Sequence, residues 1–229
     1  MIKKQTLVLI FMFLAFSSLA AAEPTEIIVS GNGKIMADAD IAYVTIGVEQ
    51  TKQSAAQAQK ATSEKMNSVQ ASLQQIGIPK DKIETTNIRL SPNYEYTDRK
   101  RTFTGYSASN QIKITVDKLD QVGKVLDTVI PAGATTVNDV TFTLKDETNY
   151  KQQALKKAVE KAKEKAKSMA EAAGLSLKKI KVLQESSARI EPVYRGPLMA
   201  EASMSSSNTP VSPGDVAVYG SVTVIYECD

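Results

Sequence analysis

Side chains that move protons or form covalent intermediates are scarce in this chain. It has no histidine, which removes Ser-His-Asp and Cys-His nucleophilic sites, imidazole acid/base catalysis and the commonest transition-metal ligand. Its one cysteine, Cys228, is the penultimate residue. It has no internal partner, so in an oxidising compartment it is either a free thiol or half of an intermolecular disulfide. Gly31-x-Gly33 would cradle a phosphate if it opened a helix, but Lys34-Ile35-Met36-Ala37 lead towards a strand, and the spacing reads as a turn. Asp38 with Asp40, and Asp215 with Glu227, lack the alternating ligands and glycine of a Ca²⁺ loop. Arg99, Lys100 and Arg101 beside Tyr94, Tyr96, Phe103 and Tyr106 form a basic, aromatic strip of the kind that contacts single-stranded nucleic acid. A solvent-facing hairpin tip that touches a neighbouring subunit explains the same residues. Paired carboxylates for glycoside hydrolysis depend on spacing set by the fold, and no pair is singled out. The expectation is a protein that is not an enzyme, with no cofactor and no metal.

The compartment follows from the N-terminus. Lys3 and Lys4 precede an apolar run over residues 7–16, and Ser17, Ser18 and Ala20-Ala21-Ala22 supply the small residues of a secretory cleavage site. A run of about ten residues is short for a bilayer span, and no cysteine follows it for lipid attachment. Residues 1–22 are therefore expected to be a signal peptide, cut after Ala20 or Ala22, and the protein periplasmic or secreted with no transmembrane span after cleavage. Losing two lysines lowers the formal charge from +3 to about +1. That balance argues against nucleic acid as a partner.

The elements that carry these residues alternate between sheet and helix. Residues 26–30 read as a short strand, and residues 41–50 as a strand with Ala42, Val44, Ile46 and Val48 on one face. A helix over residues 51–76 has the seam Met66, Val69, Leu73 and Ile76, and Gly77 and Pro79 end it. Strands follow at 82–91, interrupted by Pro92, and at 103–116. Asp117 is the expected N-cap of a short helix ending at Pro131 and Gly133, before a strand at 137–144. The order strand, helix, strand, strand, helix, strand matches the split βαβ pattern of ferredoxin-like folds. A helix over 148–173, capped by Gly174, then carries Ala154, Ala158, Ala162, Ala166 and Ala170 at every fourth position. Small side chains at that spacing let another backbone or sheet approach closely. The lysines between them, 156, 157, 161, 163, 165 and 167, read as a solvated face. A strand at 178–185, a Ser, Pro, Met and Ala-rich segment at 187–213 with Met199 and Met204, and a strand at 215–226 with one bulge or register break close the chain.

Together these pieces resemble the SIMPL-domain family. The likeness is carried by Val29-Ser30-Gly31-Asn32-Gly33, by Asp40-Ile41-Ala42-Tyr43-Val44 ending in Gly47-Val48, and by Pro92-Asn93-Tyr94-Glu95-Tyr96 with Gly105-Tyr106-Ser107-Ala108-Ser109-Asn110. The alanine-rich helix ending at Gly174 and the entrance Pro213-Gly214-Asp215-Val216 complete it, whereas Ala39 stands where the family usually has proline. The resemblance implies a secreted bacterial protein, linked in some members to oxidative-stress defence and in others to ring- or channel-like oligomers, with no established catalytic set.

The expected fold is α+β: a ferredoxin-like βαββαβ core extended by the long helix and two strands, in two intimate halves at about 23–145 and 146–229. The expected function is a homo-oligomeric structural or interaction protein of the envelope. Contact would run through sheet edges, the alanine ladder, Arg99 and Arg101, or the segment holding Met199 and Met204, with Cys228 as a possible intermolecular bridge. The alternative is a holdase-like or small-ligand binding module using the methionine segment as an adaptable surface. Its protein partners are not specified by the sequence.

Overall fold

The computed structural model describes residues 24–97, 100–193 and 209–229. Among them, seven strands form two antiparallel sheets with three α-helices. In the first sheet, β2 (Ile41–Lys52), β3 (Ile83–Thr97), β4 (Lys100–Val116) and β5 (Thr136–Thr143) lie in the order β3-β4-β2-β5. Helices α1 (Ala55–Gln75) and α2 (Val122–Ala132) pack on it and on each other. In the second sheet, β1 (Thr25–Asp38), β7 (Asp215–Cys228) and β6 (Leu177–Val193) lie in the order β1-β7-β6 beneath α3 (Glu147–Ala173).

Periodicity explains the first layer. Ala42, Val44, Ile46 and Val48 of β2 and Ile112, Ile114 and Val116 of β4 alternate inward and are wholly buried with Met66, Val69 and Leu73 of α1. Each such large side chain contributes about 1.5–3 kcal/mol relative to exposure. Ser54 caps α1 by accepting from the Gln57 amide at 3.3 Å, and Gly77 ends it at φ 93°. The helix starts later than its pattern suggests, because Thr51 and Lys52 stay in β2, paired with Ser107 and Tyr106.

Three expectations are corrected by long-range pairing. Gly31 and Gly33 do not form a turn: β1 continues to Asp38, and all fourteen of its residues pair with β7. The sheets therefore do not follow the expected division near residue 145, since β1 joins the C-terminal sheet. The closing strand carries no register break against β1. Gly220 occupies the inward place between Val218 and Val222, and the irregularities fall in β6 instead.

Asp117 does not cap α2. That helix opens after a 3₁₀ turn at Leu119–Gln121, with no side-chain cap. Asp117 instead accepts from Lys82 at 3.0 Å and Lys145 at 3.1 Å, tying the entry of β3 to the exit of β5. The hydrogen bond from Lys82, then that from Lys145, holds its carboxyl below the usual 3.8. A depressed folded pKa adds stability above the unfolded value and loses it as pH falls through the folded one. Asp117→Asn should therefore flatten the loss of stability on acidification below about pH 4 and leave the neutral-to-alkaline profile unchanged, as read by urea melts across that range.

Candidate functional site

The helices cover the first sheet only partway along β3 and β4. Farther out, register keeps Ile88 opposite Asn110 and Leu90 opposite Ala108 on the helix-facing side, yet they are 67% and 44% exposed. β3 runs straight through Pro92, which an edge strand tolerates because no ladder partner needs its missing N–H. A bulge at Asn93/Tyr94 and Gly105 at φ 138° turn the outer part of the hairpin so that its aromatic rings meet. Tyr94 and Phe103 meet edge to face at 5.7 Å between ring centroids, and Phe103 and Tyr106 at 5.3 Å. The Arg101 guanidinium lies 3.5 Å from the Tyr94 centroid and 6.0 Å from that of Tyr96. The result is an arm with a continuous aromatic-cationic strip, Tyr106–Phe103–Tyr94–Arg101–Tyr96. Isolated exposed apolar side chains are ordinary, but a contiguous group of this kind marks an interaction surface.

The alanine ladder has a different role from the one expected. Ala154, Ala158, Ala162 and Ala166 are wholly buried and Ala170 is 2% exposed, against the chain's own β1 and β7. A Cβ added to Gly31 would sit 1.9 Å from the Ala158 carbonyl oxygen, one on Gly33 2.0 Å from that of Ala154, and one on Gly220 2.7 Å from the Leu155 nitrogen. The small residues do admit a sheet at close range, but it is this chain's sheet, and nothing of the ladder remains for a second copy. The lysines beside it are more than a solvated face. Lys165 donates to the Ser30 carbonyl at 2.8 Å and Lys157 to the Lys34 carbonyl at 3.5 Å, occupying acceptors on the open edge of β1. The other edge, β6, carries register shifts, Pro192 and Lys178, Lys179 and Lys181, devices that discourage strand addition.

Cys228 faces α3 and is 3% exposed within the second core. A thiol packed there cannot reach a cysteine of another molecule, so the intermolecular bridge is withdrawn. Native protein should react with a thiol reagent at least tenfold more slowly than urea-unfolded protein, and migrate identically with and without reductant.

Arg99, Met199 and Met204 lie outside the described residues. The segment expected over 187–213 is shorter than it looked, since β6 continues through Val193. Deleting residues 187–212 would thus remove the end of β6. Where the chain returns, Thr209 is tied to α2: its amide and hydroxyl donate to the Asp127 carboxylate at 3.0 and 2.6 Å. Gly123 makes room for it, because a Cβ there would sit 2.4 Å from the Thr209 carbonyl oxygen. No periodicity signals that contact. Of the acidic pairs, the Asp40 carboxylate accepts from the Lys145 amide at 2.7 Å and Glu227 pairs with Lys179 at 3.2 Å. Among the described residues, no group of three or more His, Cys, Asp or Glu is disposed to hold a metal ion.

What these features define is a two-sheet α+β protein whose most conspicuous surface is an uncovered aromatic arm. The chain belongs to the SIMPL family, described as a protein of unknown function (DUF541), whose profile matches residues 27–226. It is 30% identical over 213 residues to the 26 kDa periplasmic immunogenic protein of Brucella melitensis, covering 90% of this chain and 85% of that protein. It is 31% identical over 133 residues to the uncharacterized protein YggE of Escherichia coli K12, covering 58% of this chain and 54% of the relative. The YggE protein of Edwardsiella ictaluri is 26% identical over 180 residues, covering 77% and 75%. No described helix is long and apolar enough to cross a membrane.

Proposed function

We propose that the protein is exported on residues 1–22 and acts in the periplasm as a non-enzymatic subunit of a homo-oligomer, seated through the β3–β4 arm. The observation that carries this reading is the arm itself: Ile88, Leu90, Tyr94, Tyr96 and Phe103 are all exposed on one hairpin. Arg101 stacked on Tyr94 adds the residue types that dominate protein–protein contacts. A second copy is the occupant because both edges of the second sheet are defended while the arm is not.

Export is supported by the n-region, apolar run and small residues at the start of the chain and by the periplasmic name of the Brucella relative. The first sheet, with α1 between β2 and β3 and α2 between β4 and β5, is read as a ferredoxin-like unit that gives the arm a rigid base. A part in envelope or oxidative-stress defence follows from the family resemblance alone. Size-exclusion chromatography with light scattering on the mature chain tests the assembly. A multimer is expected, and a monomer at high micromolar concentration removes the reading.

A further inference from the structure

The solvent face of the first sheet divides into two unlike halves. At one end it is built as strands usually are, from Tyr43, Thr45, Thr115 and Thr141, and Lys113 there is spoken for. Lys113 pairs with Glu84 at 2.9 Å and lies 5.1 Å from the Tyr43 ring centroid. At the other end the same strands carry Asn87, Asn93, Ser107, Ser109, Gln111 and Asn138, amides and small hydroxyls of which asparagine is depleted from strands. Local preference set against the fold along one patch is the pattern expected of a functional site rather than of a structural one.

The patch is also concave. It forms a cleft of about 330 Å³, and two bulges border it, at Asn138 on β5, opposite Thr45 and Ile46, and at Thr86 on β3. Its floor is Gly47, where a Cβ would meet the Thr136 hydroxyl at 2.6 Å. Across it, register aligns Arg89, Ser109 and Glu49 on adjacent strands. Glu49 is occupied by the Ser107 hydroxyl. Arg89 has no ion-pair or hydrogen-bond partner among the described residues, although its guanidinium presents a fork of donors matched to an oxyanion.

From the cleft, its side chains and its free cation, we infer that this face binds a small acidic sugar, a polyol bearing one carboxylate or phosphate. Arg89 takes the anionic group in bidentate fashion. The amides of Asn87, Gln111 and Asn138, which both donate and accept, meet the hydroxyls. Its volume of about 330 Å³ suits one or two sugar rings. The cleft residues Asn87 and Arg89 alternate along β3 with Ile88 and Leu90, so the site uses the opposite face of the arm's hairpin and stands whether or not the chain assembles.

The test is ligand-observed NMR and calorimetry on the mature full-length protein with four probes: galacturonate, glucose 6-phosphate, neutral galactose and inorganic phosphate. Galacturonate or glucose 6-phosphate should bind saturably and at least tenfold more tightly than either galactose or phosphate, and which of the two wins identifies the anion. Arg89→Gln should weaken the preferred probe by tenfold or more, and Asn138→Leu, which fills the cleft from the opposite strand, should do the same. Both variants should keep the wild-type melting temperature and mass. The inference is overturned if neither acidic sugar saturates, if inorganic phosphate binds as tightly as the sugars, or if both variants bind like the wild type. Loss of assembly in a Tyr94→Ser, Phe103→Ser double variant of the arm, with sugar binding intact, would separate this site from the oligomer reading.

Discussion

Gly31→Ala lowers the melting temperature by about 6–12 °C, whereas Gly174→Ala lowers it by about 2–4 °C, in thermal denaturation followed by circular dichroism. The two glycines make a controlled pair. Gly174 adopts the left-handed conformation at φ 70° with open space where a Cβ would go, so alanine there meets only backbone strain of about 1 kcal/mol. Gly31 needs no unusual conformation, but its Cβ would lie 1.9 Å from the Ala158 carbonyl oxygen, 2.7 Å from the Ala162 nitrogen and 2.8 Å from the Ala162 Cβ. Those are main-chain and Cβ atoms of a helix seated along the whole sheet, which no side-chain rotation relieves. Overpacking costs about 1–3 kcal/mol where side chains can adjust, and a rigid backbone puts this site at the top of that range or above it. Because β1 and β7 come from opposite ends of the described chain and pair under α3, loosening the contact also weakens the closure of the second sheet. Equal melting temperatures for the two variants would mean that α3 does not sit on β1 at this distance.

In the proposed homo-oligomer, Tyr94→Ser combined with Phe103→Ser reduces the assembly to monomer at micromolar concentration, in light scattering. Both rings are about two-fifths exposed in the single chain, Tyr94 at 39% and Phe103 at 44%, so their removal costs the fold little. In a contact they become desolvated aromatic anchors worth about 2 kcal/mol or more each. Losing two of them from each arm weakens the contact by roughly three orders of magnitude, at about 1.4 kcal/mol per tenfold. Their edge-to-face contact and the Arg101 guanidinium over the Tyr94 ring make the loss cooperative, since the guanidinium holds that ring in place. Met169→Ser is the control: that side chain is exposed to a similar extent, 47%, on α3 away from the arm, and its substitution should leave the mass unchanged. A double variant that elutes and scatters like the wild type would discard the arm as the seat of assembly.

Local chemistry was legible wherever the cause of a structure lies within a few residues of its effect. The seam Met66–Val69–Leu73 announces α1, the alternation from Ala42 to Val48 announces β2, and Gly174 announces the end of α3. The missing histidine narrows the chemistry without any coordinates. Asp117 shows where such reasoning stops. Its type and position suit a helix cap, but Lys82 and Lys145, distant in sequence, take its carboxylate at 3.0 and 3.1 Å. The cleft around Arg89 was missed for a related reason. Asparagines and serines scattered over three strands spell nothing in order, and only pairing brings them onto one face. A usable signal was present in the poor strand-forming residues of β3 and β4, had they been weighed as misfits rather than as solvent-facing polarity.

By itself the sequence determined the kinds of element, the glycine ends of α1 and α3 and the presence of a helix able to lie very close to another backbone, because side-chain period and a left-handed helix end are short-range properties. Only the tertiary structure decided what came that close. Gly31 and Gly33 turn from a presumed bend into the bed of α3, the alanines from an offered surface into a core, and Cys228 from a tail thiol into a buried one. Each change follows from β1 pairing with β7 across almost the full length of the chain. A contact between residues so far apart leaves no periodic trace in either segment, since it depends on which two surfaces happen to fit.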